Sequence, residues 1–205
     1  MNKRLSIWMM ILIIASCSPR IREFKKSIKH HRDEYKREFI NEERAPLKTE
    51  AEVMLLDFYP PDIDYRCDCQ IFVSQEKIAF EMPTYSGISK PFYIYAIATC
   101  PLKGKTIKLQ LYQSIKQGFA VDMNNLLFLP FKDATNDETS YGGGRYLDLK
   151  LEDINDGRLV IDFNKCYNPW CAYSDGYNCP IPPRSNHLDI KIEAGERMYK
   201  GAKKQ

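Results

Sequence analysis

An alternation of apolar and polar residues with a period of two is what most narrows the folds open to this chain. In Thr106 to Tyr112, Ile107, Leu109 and Leu111 alternate with Lys108 and Gln110; in Leu188 to Glu193, Leu188, Ile190 and Ile192 alternate with Asp189, Lys191 and Glu193. Successive side chains of a strand point to opposite faces, so such a segment sets one face on a core and the other in water. Further strands are expected at Tyr65 to Val73, Ile78 to Met82, Phe92 to Thr99, Leu126 to Phe131, Arg145 to Leu151 and Leu159 to Phe163. SQEK, between the first two, suits a hairpin loop; PLKGK turns the chain into the strand at Thr106; INDGR makes a glycine-containing turn between two strands. Short strands at this spacing predict a mainly β domain, an antiparallel sandwich or a barrel-like sheet. Its long loops, Gln113 to Asn125, Lys132 to Gly144 and Asn164 to Asn186, are where function concentrates on a rigid β scaffold.

The chain ahead of these strands differs. In IREFKKSIKHHRDEYKREFINEERAPL, the residues Ile21, Phe24, Ile28, Tyr35 and Phe39 recur at helical spacings, and His31 shares their stripe. The spacing predicts a strongly charged N-terminal α-helix with a narrow apolar face, ended by Pro46 and packed on the domain rather than standing as a stalk. Earlier still, MNKRLSIWMMILIIASC opens with Lys3 and Arg4 and continues apolar from Leu5 to Ala15, except for Ser6. That run is too short to span a bilayer core, which takes about 20 helical residues, and it suits the apolar region of a secretory signal. Ile14-Ala15-Ser16-Cys17 resembles a bacterial lipobox. That resemblance implies cleavage before Cys17, a diacylglycerol on its sulfur and a further acyl chain such as palmitate on the new amino terminus. Two or more chains anchor stably where one binds reversibly. Residues 1–16 are therefore expected to be a signal peptide, 17–46 a lipid-anchored helical arm and 47–205 the β-rich domain. Ser18, where an Asp would favour inner-membrane retention, leans the expected location to the outer membrane, facing the periplasm.

Loss of Lys3 and Arg4 leaves 28 basic against 27 acidic side chains, so no basic field argues for nucleic acid. Six cysteines follow Cys17, an even number, which favours disulfides in an exported chain. The stretch CYNPWCAYSDGYNCPIPP, from Cys166 to Pro183, lacks the paired ligand spacing of a zinc site and contains no His. A Cys171–Cys179 bridge would make it a stapled, stiff loop holding its tyrosines, Trp170 and Asn186. Cys67 and Cys69 fall on one face of a strand, so each is expected to pair across to another segment. No metal or cofactor is expected.

FLPFKDAT, YGGGRYLDL, DFNKCYNPWCAYSDGYNCPIPPRSNHL and the closing IEAGE resemble the bacterial and archaeal family called domain of unknown function 1684. HHRDEYKREF, the APL after it and the DYR at Asp64 to Arg66 are similar to that family's N-terminal part, so the resemblance runs from about Arg32 to Glu196. It implies little about activity, as the family's name says. Cys67, Cys69, Cys100 and Cys166 stand outside the family's pattern.

Several stretches carry possible chemistry. YGGGRY is followed by an alternating strand rather than a helix, so it is no phosphate loop; its glycines suit a loop or bulge. Arg145 would either clamp an anion or pair with Asp162 or Asp148 inside the fold. In DFN, Asp162 and Asn164 point to one side. With Tyr141, Arg145, Tyr167, Asn168 and Asn186 they form the candidate ligand site, unless their polar groups bond the loop's own backbone. His187 is expected to be structural. The expected function is a noncatalytic envelope module for a small polar ligand, glycan or partner protein. The alternative is a periplasmic hydrolase using Arg145 with two of Glu138, Asp148, Asp162 and Asp175.

Overall fold

A computed structural model describes residues 19–115 and 125–205; the leader, Cys17 and part of the loop from Gln113 to Asn125 lie outside them. Among the described residues there are two α-helices, α1 (Pro19–Asn41) and α2 (Glu50–Val53). Seven strands follow: β1 (Arg66–Val73), β2 (Ala79–Met82), β3 (Lys90–Leu102), β4 (Lys105–Ser114), β5 (Leu126–Phe131), β6 (Arg145–Lys150) and β7 (Arg158–Asp162). They form one antiparallel sheet in the order β6-β5-β4-β3-β1-β7, with β2 on β3, curled into a half-barrel. Of the two expected architectures, the barrel-like one is present.

Alternation builds the core. Cys67, Cys69 and Ile71 of β1, Ala96, Ala98 and Cys100 of β3, Ile107, Leu109 and Leu111 of β4 and their neighbours are buried on one face, closed over by Phe163, Cys166, Ile192 and Ala194. β3 and β4 are joined by a two-residue turn, Lys103 at φ 48° and Gly104 at φ 78°, closed by the Leu102–Lys105 pair. This is the doubly left-handed turn whose twist suits a hairpin, and glycine makes it cheap.

Two expectations about the strands change, and a third, the turn in INDGR, holds. SQEK is not a hairpin loop. β1 pairs with Ala96 to Thr99 of β3 and β2 with Lys90 to Tyr93 of the same strand, both antiparallel. The two therefore run in one direction along one side of β3, as a single strand interrupted by a detour. The thirteen residues of β3 make room for both. INDGR does turn, through Asp156 at φ 48° and Gly157 at φ 69°, but β6 and β7 on either side of it part to opposite ends of the sheet. Finally, Leu188 to Ile192 is no ladder strand, although its burial alternates as expected. It runs beside residues 132–134 through Leu188 N–H to Lys132 O and Ala134 N–H to Ile190 O, and its later carbonyls are taken by a side chain.

α1 stops at Asn41, five residues short of Pro46. Its Ile28 and Phe39 are buried, and Phe39 joins Leu47, Val53, Ala172 and Tyr173 in a second cluster. α2 begins at a capping box, the Thr49 hydroxyl accepting from Glu52 N–H while the Glu52 carboxylate accepts from Thr49 N–H.

Candidate functional site

Arg145 begins β6 with its side chain on the core face, and none of that side chain is exposed. Its guanidinium donates to Asp133 Oδ2 at 2.7 Å and to the carbonyls of Ile192 at 2.7 Å, Ala194 at 2.6 Å and Glu196 at 3.1 Å. In an extended segment alternate carbonyls point the same way. One guanidinium thus takes the place of a partner strand for residues 192–196. The expected partners of Arg145 were Asp162 and Asp148; the structure gives it Asp133 instead. Asp148 accepts from the Tyr167 hydroxyl at 2.6 Å. Gly144 before it holds φ +91°, and a Cβ there would sit 2.6 Å from Phe131 O, so both conformation and space require glycine.

The DFN group also turns inward. Asp162 Oδ1 accepts from Asn164 N–H at 3.0 Å and from the Asn164 amide at 2.9 Å, while Asn164 exchanges two bonds with the Asp62 backbone. Asn186 behaves like an extra peptide: its carbonyl accepts from Gln110 N–H and its amide donates to Gln110 O and Pro130 O, tying β4 to β5. Tyr141 is half-buried and donates to Cys171 O at 3.4 Å. His187 lies 3.0 Å from Pro182 O. Arg145, Asp162, Asn164 and Asn186 are therefore spread through the fold, each with backbone partners, and do not meet in one open pocket.

Tyr167 and Asn168 lead to a different cluster. Glu196 is completely buried; it accepts from Tyr173 OH at 2.6 Å, Asn168 N–H at 2.9 Å and Tyr35 OH at 3.1 Å. Burial pushes its carboxyl up to about 7, against these hydrogen bonds and the pull of Arg145, which favour the charged form. Burial and the facing carboxylate push the Tyr35 and Tyr173 phenols up as well. The Tyr167 ring lies 5.9 Å from that of Tyr35 and 6.0 Å from that of Tyr146. On the same helix, Arg32 stacks its guanidinium 4.7 Å from the centre of the Phe58 ring, with Nε and one Nη buried and unpartnered.

An open cleft of about 390 Å³ lies beside this cluster, lined by Tyr35, Glu38, Phe39, Asn41, Glu42, Ala45 and Trp170. One wall is the second half of α1. The other is Trp170, at the start of a 3-10 turn led in by Pro169. The Trp170 ring meets Tyr177 edge-on at 5.2 Å, and Tyr177 donates to Arg44 O at 2.7 Å, across to the segment after α1. Cys171 and Cys179 stand at disulfide distance and close a loop that carries Tyr177 and begins one residue after Trp170. Cys69 and Cys100 form a second such pair. Cys67 and Cys166 are free and buried, and burial pushes both thiols up to about 11, which leaves them unreactive. Among the described residues no group of three or more His, Cys, Asp or Glu side chains is placed to hold a metal.

The model of the family described as "Protein of unknown function (DUF1684)" matches residues 52–197. The chain belongs to that family. The DUF1684 match begins after α1, later than the residues near Arg32 where the resemblance was traced. The chain is also similar to the solution NMR structure of an uncharacterised protein from gene locus rrnAC0354 of Haloarcula marismortui. The two are 31% identical, the alignment covers 87% of this chain and 96% of the other, and the TM-score is 0.66. No curated protein matches. The sequence pattern does not single out Asp133 and Glu196 inside this DUF1684 domain, nor the hydrogen-bonding role of Tyr35 ahead of it in α1. The first two sit inside FKDAT and IEAGE, runs noted only for their resemblance; a buried Arg in a strand needs such an acid, and that need was the available signal.

Proposed function

We propose that this chain is a lipid-anchored protein of the cell envelope, held at the outer membrane through Cys17 and facing the periplasm. Its domain is a noncatalytic module that takes a small polar ligand or glycan in the cleft between α1 and the Cys171–Cys179 loop. The observation that carries the binding role is Trp170. Its ring borders an open cleft and is braced by Tyr177, a short staple and a 3-10 turn rather than absorbed in the main core. A braced aromatic wall beside amide and carboxylate groups (Asn41, Glu38, Glu42) suits a ligand with one apolar face and a polar edge. A hydrolase using Arg145 would need that guanidinium to reach a substrate, and it has no exposed surface.

Trp8 and Trp170 are the two tryptophans and Trp8 leaves with the leader, so the emission of the mature chain reports on the cleft alone. Titration with soluble peptidoglycan and chitin oligosaccharides is expected to shift the emission saturably, and the added substitution Asn41→Ala to weaken the response several-fold. A flat response to every oligosaccharide would remove the glycan from this proposal. For the anchor, Cys17→Ala expressed in a Gram-negative host is expected to lose the acyl mass and leave the outer-membrane fraction. Retention there without acyl chains would refute the tether.

A further inference from the structure

We infer that the outward face of α1 is a lipid-headgroup surface, which lays the domain against an anionic bilayer instead of leaving it free on its tether. This rests on the lipid anchor at Cys17 and goes beyond it. Arg22, Lys25, Lys26, Lys29, Lys36 and Arg37 follow one another at spacings of one, three and seven, which keep them on a single helical face. Phe24, Ile28 and Phe39 occupy the opposite face and are buried against the domain, so the rotation of α1 is fixed and the basic stripe points away. The charge is weighted towards the tether. Lys29 pairs with Asp33 at 2.7 Å, Arg37 lies 3.6 Å from Glu34, and Lys36 sits 5.8 Å from the Phe58 ring centre. Arg22, Lys25 and Lys26 of the stripe are exposed and have no acidic partner among the described residues, and the first turn holds no acid. Pro19 starts the helix two residues after Cys17, so these three charges fall within the first turns beyond the acylated residue.

The partner that fits is a surface of anionic phospholipid. The lipid tether holds it within reach, and basic side chains beside an anchor add attraction that decays within a Debye length of the surface. With Arg22 nearest the tether and the stripe running the length of the helix, α1 lies along the headgroups. The rest of the domain is then held in one orientation.

The test uses the mature, acylated protein floated with vesicles of phosphatidylcholine, with or without phosphatidylglycerol. A membrane-impermeant amine reagent reads the exposure of Lys25 and Lys26 against Lys105, in the hairpin between β3 and β4. Labelling of Lys25 and Lys26 relative to Lys105 is expected to fall about fivefold or more on the anionic vesicles, as charge contact of this kind implies. The protection should vanish at high salt, and Arg22→Glu/Lys29→Glu should abolish it while the protein still floats. Equal labelling on both vesicles with intact flotation overturns the headgroup surface and leaves the tether standing. Failure to float with either vesicle overturns the tether, and this inference with it. Protection that appears only when envelope proteins are added assigns the stripe to an acidic protein and overturns the lipid partner.

Discussion

Glu196 sits where its charge has least solvent and most hydrogen bonds, and the two effects pull against each other. Its pKa rises from an ordinary 4.5 to about 7. The folded protein therefore holds a proton between those values that the unfolded chain has released. Stability from this group is fully present below about 4.5 and is lost as pH rises towards 7. The full difference is on the order of 3 kcal/mol, at about 1.36 kcal/mol per pKa unit. The groups facing it are Tyr35 of α1, Tyr173 and Asn168 of the stapled region, and Arg145 of β6, so charging Glu196 is felt wherever α1 meets the loop. Melting temperature is expected to fall between pH 4.5 and 7 in the native protein, and Glu196→Gln to flatten that stretch of the profile; differential scanning fluorimetry across pH reads both. An unchanged slope in the variant would assign the dependence to another group.

The elements that frame the cleft are secured unequally. α1 has a continuous apolar stripe. The loop from Trp170 to Cys179 has short turns, Tyr177 and a bridge across eight residues. Closing a loop of that size stabilises by about 2.5 kcal/mol on the chain-entropy view. Cys171→Ser/Cys179→Ser is expected to lower the stability by roughly that amount and to move Trp170 emission to the red at temperatures where the domain stays folded, because the ring loses its brace. A variant that matches the native emission would show that Tyr177 and the prolines suffice. Legibility in the sequence divides along the same line. Strands were readable because burial on one face enforces a period of two, and α1 because its apolar residues recur every three or four. Nothing in a periodic pattern says which strand pairs with which, so SQEK reads as a hairpin loop although β2 lies on β3. The same limit hid the fate of Asp162, Asn164 and Asn186. Short polar side chains bond ligands or backbone equally well, and only the backbone's position decides. Alternation in Leu188 to Ile192 is real, yet its Ile190 carbonyl answers to Ala134 in a loop and its Ile192 carbonyl to Arg145, not to a neighbouring strand.

At the scale of the whole molecule, Arg145 joins the first residue of β6 to a stretch almost fifty residues later in the chain. Its donors meet Asp133 early and the carbonyls of residues 192–196 only at the end. A buried cation missing most of its acceptors is costly, on the scale of 3–5 kcal/mol for a broken buried pair, roughly what a domain of this kind has to spare. A chain ended at Lys191 is thus expected to give no cooperative melting transition, although every strand of the sheet is present; a sharp transition in that truncation would contradict it. The guanidinium works as a latch on chain completion. A polypeptide threaded through a translocation pore from its amino terminus would stay pliable until its tail arrived, and would set firm only on the far side.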